Sequence, residues 1–189
     1  MRPQRREVIE RQAESILERT GQTHGRVDVF EVARRLGAVV QAQDMEDAIS
    51  GVLLVQQDQK FILVNEAQAP VRQRFSVAHE LGHLVLHDTS ADRMFVDGGV
   101  RLYQRVGHPS SEAYRSPESH TTPDEEREAN HFAAAILMPE PAVRAYAFGK
   151  KVGLEEDLVQ EMAEYFEVSV QAMSIRLQRL NILEPSDVF

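Results

Sequence analysis

Cysteine is absent from all 189 residues. That absence removes disulfide scaffolds, thiolate zinc fingers, iron–sulfur ligation and thiol nucleophiles together, and it leaves His, Asp and Glu as the strong metal ligands available. A chain without cysteine is compatible with a reducing compartment, and no apolar leader follows the basic start Met1-Arg2-Pro3, so the cytoplasm is the expected location. No apolar run approaches the roughly 20 residues needed to span a bilayer, and membrane insertion is not expected. Positive charge is also in deficit. Lys and Arg number 21 against 30 Asp and Glu, a formal charge of −9, and the summed field repels a phosphate backbone. Hydrophobic residues at 42% and charged residues at 27% set aside disordered and low-complexity classes and point to one folded domain with at most a small appendage.

Periodicity gives the elements. Ile9, Ala13, Ile16 and Leu17 fall at helical spacing ahead of Gly21, and Asp28 with Glu31 opens a short helix that ends at Gly37. Three β-rich runs follow over 38–43, 49–55 and 61–64, read as a small antiparallel sheet with a hairpin between the last two, in which Phe61 to Asn65 forms an edge. Residues 71–87 are helical again, with Pro70 at the start. From 88 to 123 no period holds, and a long surface loop is predicted, with one short strand near Val100 to Tyr103. A helix over 124–138 is stopped by Pro139, and two more helices are predicted near 154–166 and 170–181.

The chemistry concentrates in His79-Glu80-Leu81-Gly82-His83. Residues four apart on a helix lie about 40° apart around its axis and one turn along it, so both imidazoles can reach one metal. Glu80, on the flank between them, is placed to take a proton from the attacking water instead of binding the ion. Gly82 costs about 1 kcal/mol inside a helix, which calls for a reason such as close approach of another backbone. A catalytic site needs a third protein ligand. His87 lies about 12 Å along the helix from His79, too far to share its ion, and reads as a supporting or surface residue. The metzincin pattern requires Gly at 86 and His at 89, where this chain has Leu86 and Thr89. A carboxylate from another helix remains, and Asp124, Glu125, Glu126 and Glu128 are all candidates. Helical phase turns Glu128 away from the apolar stripe of Ala129, Phe132, Ala133, Ile136 and Leu137. Phase does not choose between Glu125, inside the stripe, and Glu126, on its edge.

Residues 75–87 followed by Glu126-x-Glu-Ala-Asn-x-Phe-Ala-Ala-x-Ile-Leu-Met-Pro139 resemble the ImmA/IrrE family of metallopeptidases. Val27, Leu36-Gly37, Ser50-Gly51, Asn65 and Arg74-Phe75 extend the resemblance over roughly 27–140. It implies an α+β fold with the sheet packed on the zinc helix. It also implies zinc held by His79, His83 and Glu126, Glu80 as general base and acid, and Asn130 orienting a ligand. The expected activity is that of a zinc-dependent endopeptidase cleaving a helix-turn-helix transcriptional repressor in a stress or mobile-element response. From its length a stand-alone member is expected, one that lacks the sensor-like C-terminal domain of the IrrE branch.

The expected division is a metallopeptidase domain over 1–150 and a helix-turn-helix-like helical subdomain over 151–189. Between 154 and 184 the acids Glu155, Glu156, Asp157, Glu161, Glu164, Glu167 and Glu184 face only Arg176 and Arg179. That balance disfavours direct DNA binding and favours protein docking or packing. The alternative function is a non-proteolytic binding module that engages a repressor or DNA through these helices. Glu80, useless to a purely structural site, argues against it. Tyr103, Tyr114 and His131 are weaker candidates for stabilising an oxyanion, while His24, His108 and His120 read as surface residues.

Overall fold

The structure, a computed structural model, describes residues 1–56, 58–87, 93–97, 121–149 and 155–183. The elements run α1 (Pro3–Arg19), α2 (Val29–Arg35), β1 (Ala38–Gln43), β2 (Gly51–Gln56), β3 (Gln59–Asn65), α3 (Pro70–Leu86), β4 (Arg93–Asp97), α4 (Pro123–Leu137), α5 (Glu140–Gly149), α6 (Glu155–Phe166) and α7 (Val170–Arg179). The fold is α+β, with helices around one small sheet.

Local chemistry sets the helix starts. Proline stands at the first turn of α1, α3 and α4, where its missing N–H has no partner to lose. The Asp28 carboxylate accepts the Glu31 N–H at 3.1 Å to begin α2, and Ser169 Oγ accepts the Ala172 N–H at 3.1 Å to begin α7. Gly37, at φ +80°, turns the chain from α2 into β1 in a conformation other residues resist. The predicted stop at Pro139 is followed at once by a helix that was not expected, α5, and Pro141 fits its first turn.

The sheet order is β1-β3-β2-β4. Strands β2 and β3 form the predicted hairpin, with Leu53 opposite Ile62. β4 pairs antiparallel to β2, and β1 joins the far side of β3 in parallel. The sheet is therefore mixed, where an antiparallel one was expected, and β3 is not an edge. Alternation of apolar residues fixes which face a side chain takes but carries no information on which strand lies alongside. Among the described residues of 88–123 the strand is β4, which was not predicted, and the predicted strand near Val100 to Tyr103 lies outside the described residues. One sheet face places Leu53, Val55, Ile62 and Val64 in the main core, while Val52 and Leu63 on the other pack with Ile49. The main core also takes in α1, α3, α4 and the C-terminal helices through Val159, Met162, Phe166, Met173 and Leu177, so it does not break at residue 150. Among the described residues no helix is long and apolar enough to cross a membrane.

Candidate metal centre

The second half of α3 carries His79, Glu80 and His83, all buried. One helical turn brings His79 Nε2 to 3.1 Å from His83 Nε2. Glu126, in the first turn of α4, closes a triangle: its Oε2 lies 3.3 Å from His79 Nε2 and its Oε1 3.4 Å from His83 Nε2. Ligands at roughly 2.0–2.1 Å around a tetrahedral ion are about 3.3–3.4 Å apart, so these two nitrogens and one carboxylate fit three corners of such a site. Burial opposes ionisation of Glu126, but hydrogen bonding to His79, His83 and Thr121 outweighs it and holds the carboxyl well below the usual carboxylate range. An anion is thus fixed beside two imidazoles, the donor set a divalent cation needs.

Two glycines make the geometry possible. A Cβ on Gly82 would lie 2.8 Å from the Ala129 Cα, so the bare glycine lets α3 and α4 approach closely enough for Glu126 to reach both histidines. This is the backbone approach that Gly82 called for. A Cβ on Gly51 would lie 3.0 Å from Glu80 Oε1, and its absence gives the fully buried Glu80 carboxylate room against β2.

The other acids of α4 are committed elsewhere. Glu125 completes a capping box: Thr122 Oγ1 accepts the Glu125 N–H at 3.2 Å and Glu125 Oε2 accepts the Thr122 N–H at 2.7 Å. The signal was present in Thr122-x-x-Glu125. Glu128 takes a two-point bond from Arg5 of α1, with Nε at 2.8 Å, which pulls its carboxyl below the ordinary range. His87 lies between these groups, its Nδ1 3.0 Å from His83 Nδ1 and its Nε2 3.5 Å from Glu128 Oε2. Burial, and then the neighbouring His83, push the His87 imidazole below its usual value.

Among the described residues the amide of Asn130, which is exposed, donates to the Glu126 backbone carbonyl at 2.9 Å, so its contact is with the main chain of a candidate ligand and not with a ligand side chain. His131 faces α1, with Nε2 3.1 Å from Glu10 Oε1. His24 is an exposed residue bonded to Thr23, as expected for the surface. Tyr103, Tyr114, His108 and His120 lie outside the described residues.

Residues 33–178 match the model of a peptidase family described as the IrrE N-terminal-like domain. The chain belongs to this family of metallopeptidases. The radiation response metalloprotease IrrE of Deinococcus radiodurans is 33% identical over 114 residues, 59% of this chain, and the match spans only 28% of that protein. A Mycobacterium tuberculosis transcriptional regulator superposes with a TM-score of 0.57 at 19% identity, over 91% of this chain and 46% of its own, and shares the fold. The IrrE-like stretch of this chain contains His79, Glu80, His83 and Glu126 together, as well as His87 and Glu128. Arg5 lies outside it.

Proposed function

We propose that the chain is a zinc-dependent endopeptidase that cleaves a helix-turn-helix transcriptional repressor and so relieves repression in a stress or mobile-element response. The observation that carries the reading is the His79, His83 and Glu126 triangle with Glu80 buried beside it. Two imidazoles and one carboxylate are a ligand set of catalytic zinc, which when bound polarises a carbonyl and lowers the pKa of water. Glu80, adjacent in sequence to one ligand and outside the triangle, takes the proton of the attacking water and returns it to the leaving amine. Burial keeps its carboxylate in a low-dielectric setting where that exchange is not diluted by bulk water.

The free edge of β4 among the described residues offers main-chain groups to an extended peptide, and its partner β2 carries Gly51 against Glu80. A charge of −9 suits a basic partner such as a DNA-binding repressor, by the same field that disfavours DNA itself. The names of the relatives, a radiation response metalloprotease and a transcriptional regulator, point in that direction. Such a substrate belongs to the cytoplasm.

Glu80→Gln tests the assignment, because it removes the base without removing a ligand. The variant is expected to keep zinc at wild-type stoichiometry, to capture the repressor in a pull-down read by mass spectrometry, and to leave it uncut. Wild-type protein should cleave the captured partner. Failure of the zinc-loaded wild type to cut any protein that the variant captures overturns the endopeptidase reading.

A further inference from the structure

The geometry points to His87, Glu128 and Arg5 as a positioning chain that fixes the tautomer and ring orientation of His83, and with them the affinity of the site for its metal. The inference rests on the reading of His79, His83 and Glu126 as ligands. A neutral imidazole that gives Nε2 to a metal must carry its proton on Nδ1. His83 Nε2 faces His79 and Glu126, which leaves His83 Nδ1 as the donor and its neighbour, His87 Nδ1 at 3.0 Å, as the acceptor. His87 must then hold its own proton on Nε2, the nitrogen 3.5 Å from Glu128 Oε2. One set of tautomers satisfies every contact in the series. The reverse order would put a proton on His83 Nε2, the nitrogen needed for the metal, and would set a bare His87 Nε2 against a carboxylate oxygen, two acceptors facing each other.

Glu128 can serve because Arg5 fixes it. The guanidinium meets both carboxylate oxygens, so the acid is held toward His87 without needing a further partner. Side-chain burial is consistent with a support: His87 is 5% exposed and Glu128 17%, while Arg5 at 38% closes the series at the surface. Metal-binding histidines generally give their second nitrogen to a carboxylate or carbonyl, and here a third histidine is interposed. Two helices thereby converge on one ligand, α4 through Glu128 and α1 through Arg5, although α1 lies outside the stretch that defines the family.

The test measures zinc affinity of the full chain by chelator competition. His87→Phe keeps a flat ring but deletes the acceptor, and its zinc Kd is expected to rise about tenfold or more, the usual cost of losing such a support. His87→Gln restores an acceptor oxygen and should recover most of that loss. Glu128→Ala should give a smaller rise and Arg5→Met the smallest, in that order, since each acts through the one before it. Nitrogen-15 NMR of the zinc-loaded wild type should show His83 protonated at Nδ1 and His87 at Nε2. Wild-type affinity in His87→Phe, or a His87 proton on Nδ1, overturns the chain of contacts. Should His87→Phe fail to fold, the glutamine variant and the NMR tautomers decide alone. If wild type binds no zinc, or if Glu126→Ala binds it as well as wild type, the metal-site reading itself has failed, which is a different result.

Discussion

Three glutamates near the start of α4 are each committed to a different partner: Glu125 to the helix cap, Glu126 to the two histidines of α3 and Glu128 to Arg5. Their substitutions should separate accordingly. Glu126→Ala is expected to lose zinc, because two protein ligands rarely hold it. Glu125→Ala should cost about 1 kcal/mol of stability through the lost cap, with zinc stoichiometry unchanged. Metal analysis alongside thermal unfolding checks both, and loss of metal from Glu125→Ala alone would reverse the assignment. A second residue-scale expectation concerns Glu10. Burial works against its charge, but bonds to Arg176 and His131 prevail and lower its pKa from 4.5 to about 2. A carboxylate depressed in the folded state stabilises above its unfolded pKa and ceases to do so as pH falls through the folded value. The window is therefore pH 4.5 down to about 2, and the contribution at stake is about 2–3 kcal/mol for this mostly buried group. Urea unfolding should show the gap between wild type and Glu10→Gln narrowing across that window. A gap that does not change with pH would contradict it.

At the scale of elements, the α3–α4 crossing is the feature on which the site depends. Replacing a helical glycine with alanine ordinarily gains about 1 kcal/mol. At Gly82 the new methyl would meet backbone at 2.8 Å, an atom that cannot swing aside. Overpacking of this kind costs about 1–3 kcal/mol, so the clash should cancel or outweigh the propensity gain. Gly82→Ala is expected to lower the unfolding midpoint and to weaken zinc binding as Glu126 is pushed back from the histidines. A stabilised variant with wild-type zinc affinity would show that the two helices have slack. The pentad was readable in the sequence, and so was the need to explain Gly82, because both follow from spacing along one helix. The identity of the neighbour, Ala129, was not.

Across the whole molecule the C-terminal helices are bound into the peptidase core. Arg74 of α3, buried, donates to the carbonyls of Val27 and Phe166, and Arg176 of α7 donates to Met138 O and grips Glu10 of α1. Arg176 is 1% exposed, so one of the two bases of this acidic region is already spent inside the protein. Its use is cohesion between α7, α1 and the residue that ends α4. Arg176→Met should therefore destabilise the fold by about 2–4 kcal/mol, since it leaves Glu10 partly buried without its cation. Denaturant unfolding measures this, and a change below about 0.5 kcal/mol, the level typical of a surface substitution, would contradict the role.

Sequence by itself determined what depends on short separations along the chain. These are the helices at their apolar period, the caps at Asp28 and Ser169, the β2–β3 hairpin, and a pair of imidazoles that one helical turn must bring together around Glu80. Periodicity is a local property, and it survives whatever the rest of the molecule does. Only the tertiary structure decided that β1 lies parallel to β3 and that His87 reaches Arg5 through Glu128, and it alone supplies the physical reason for Glu126, which helical phase left level with Glu125 and only the family resemblance singled out. Each of these joins residues far apart in sequence, and their meeting is fixed by how close two helices can pack and how far α4 is rotated about its own axis. No local pattern encodes that rotation, because Glu125 and Glu126 differ by one residue in a helix whose neighbours alone determine which of them faces the metal.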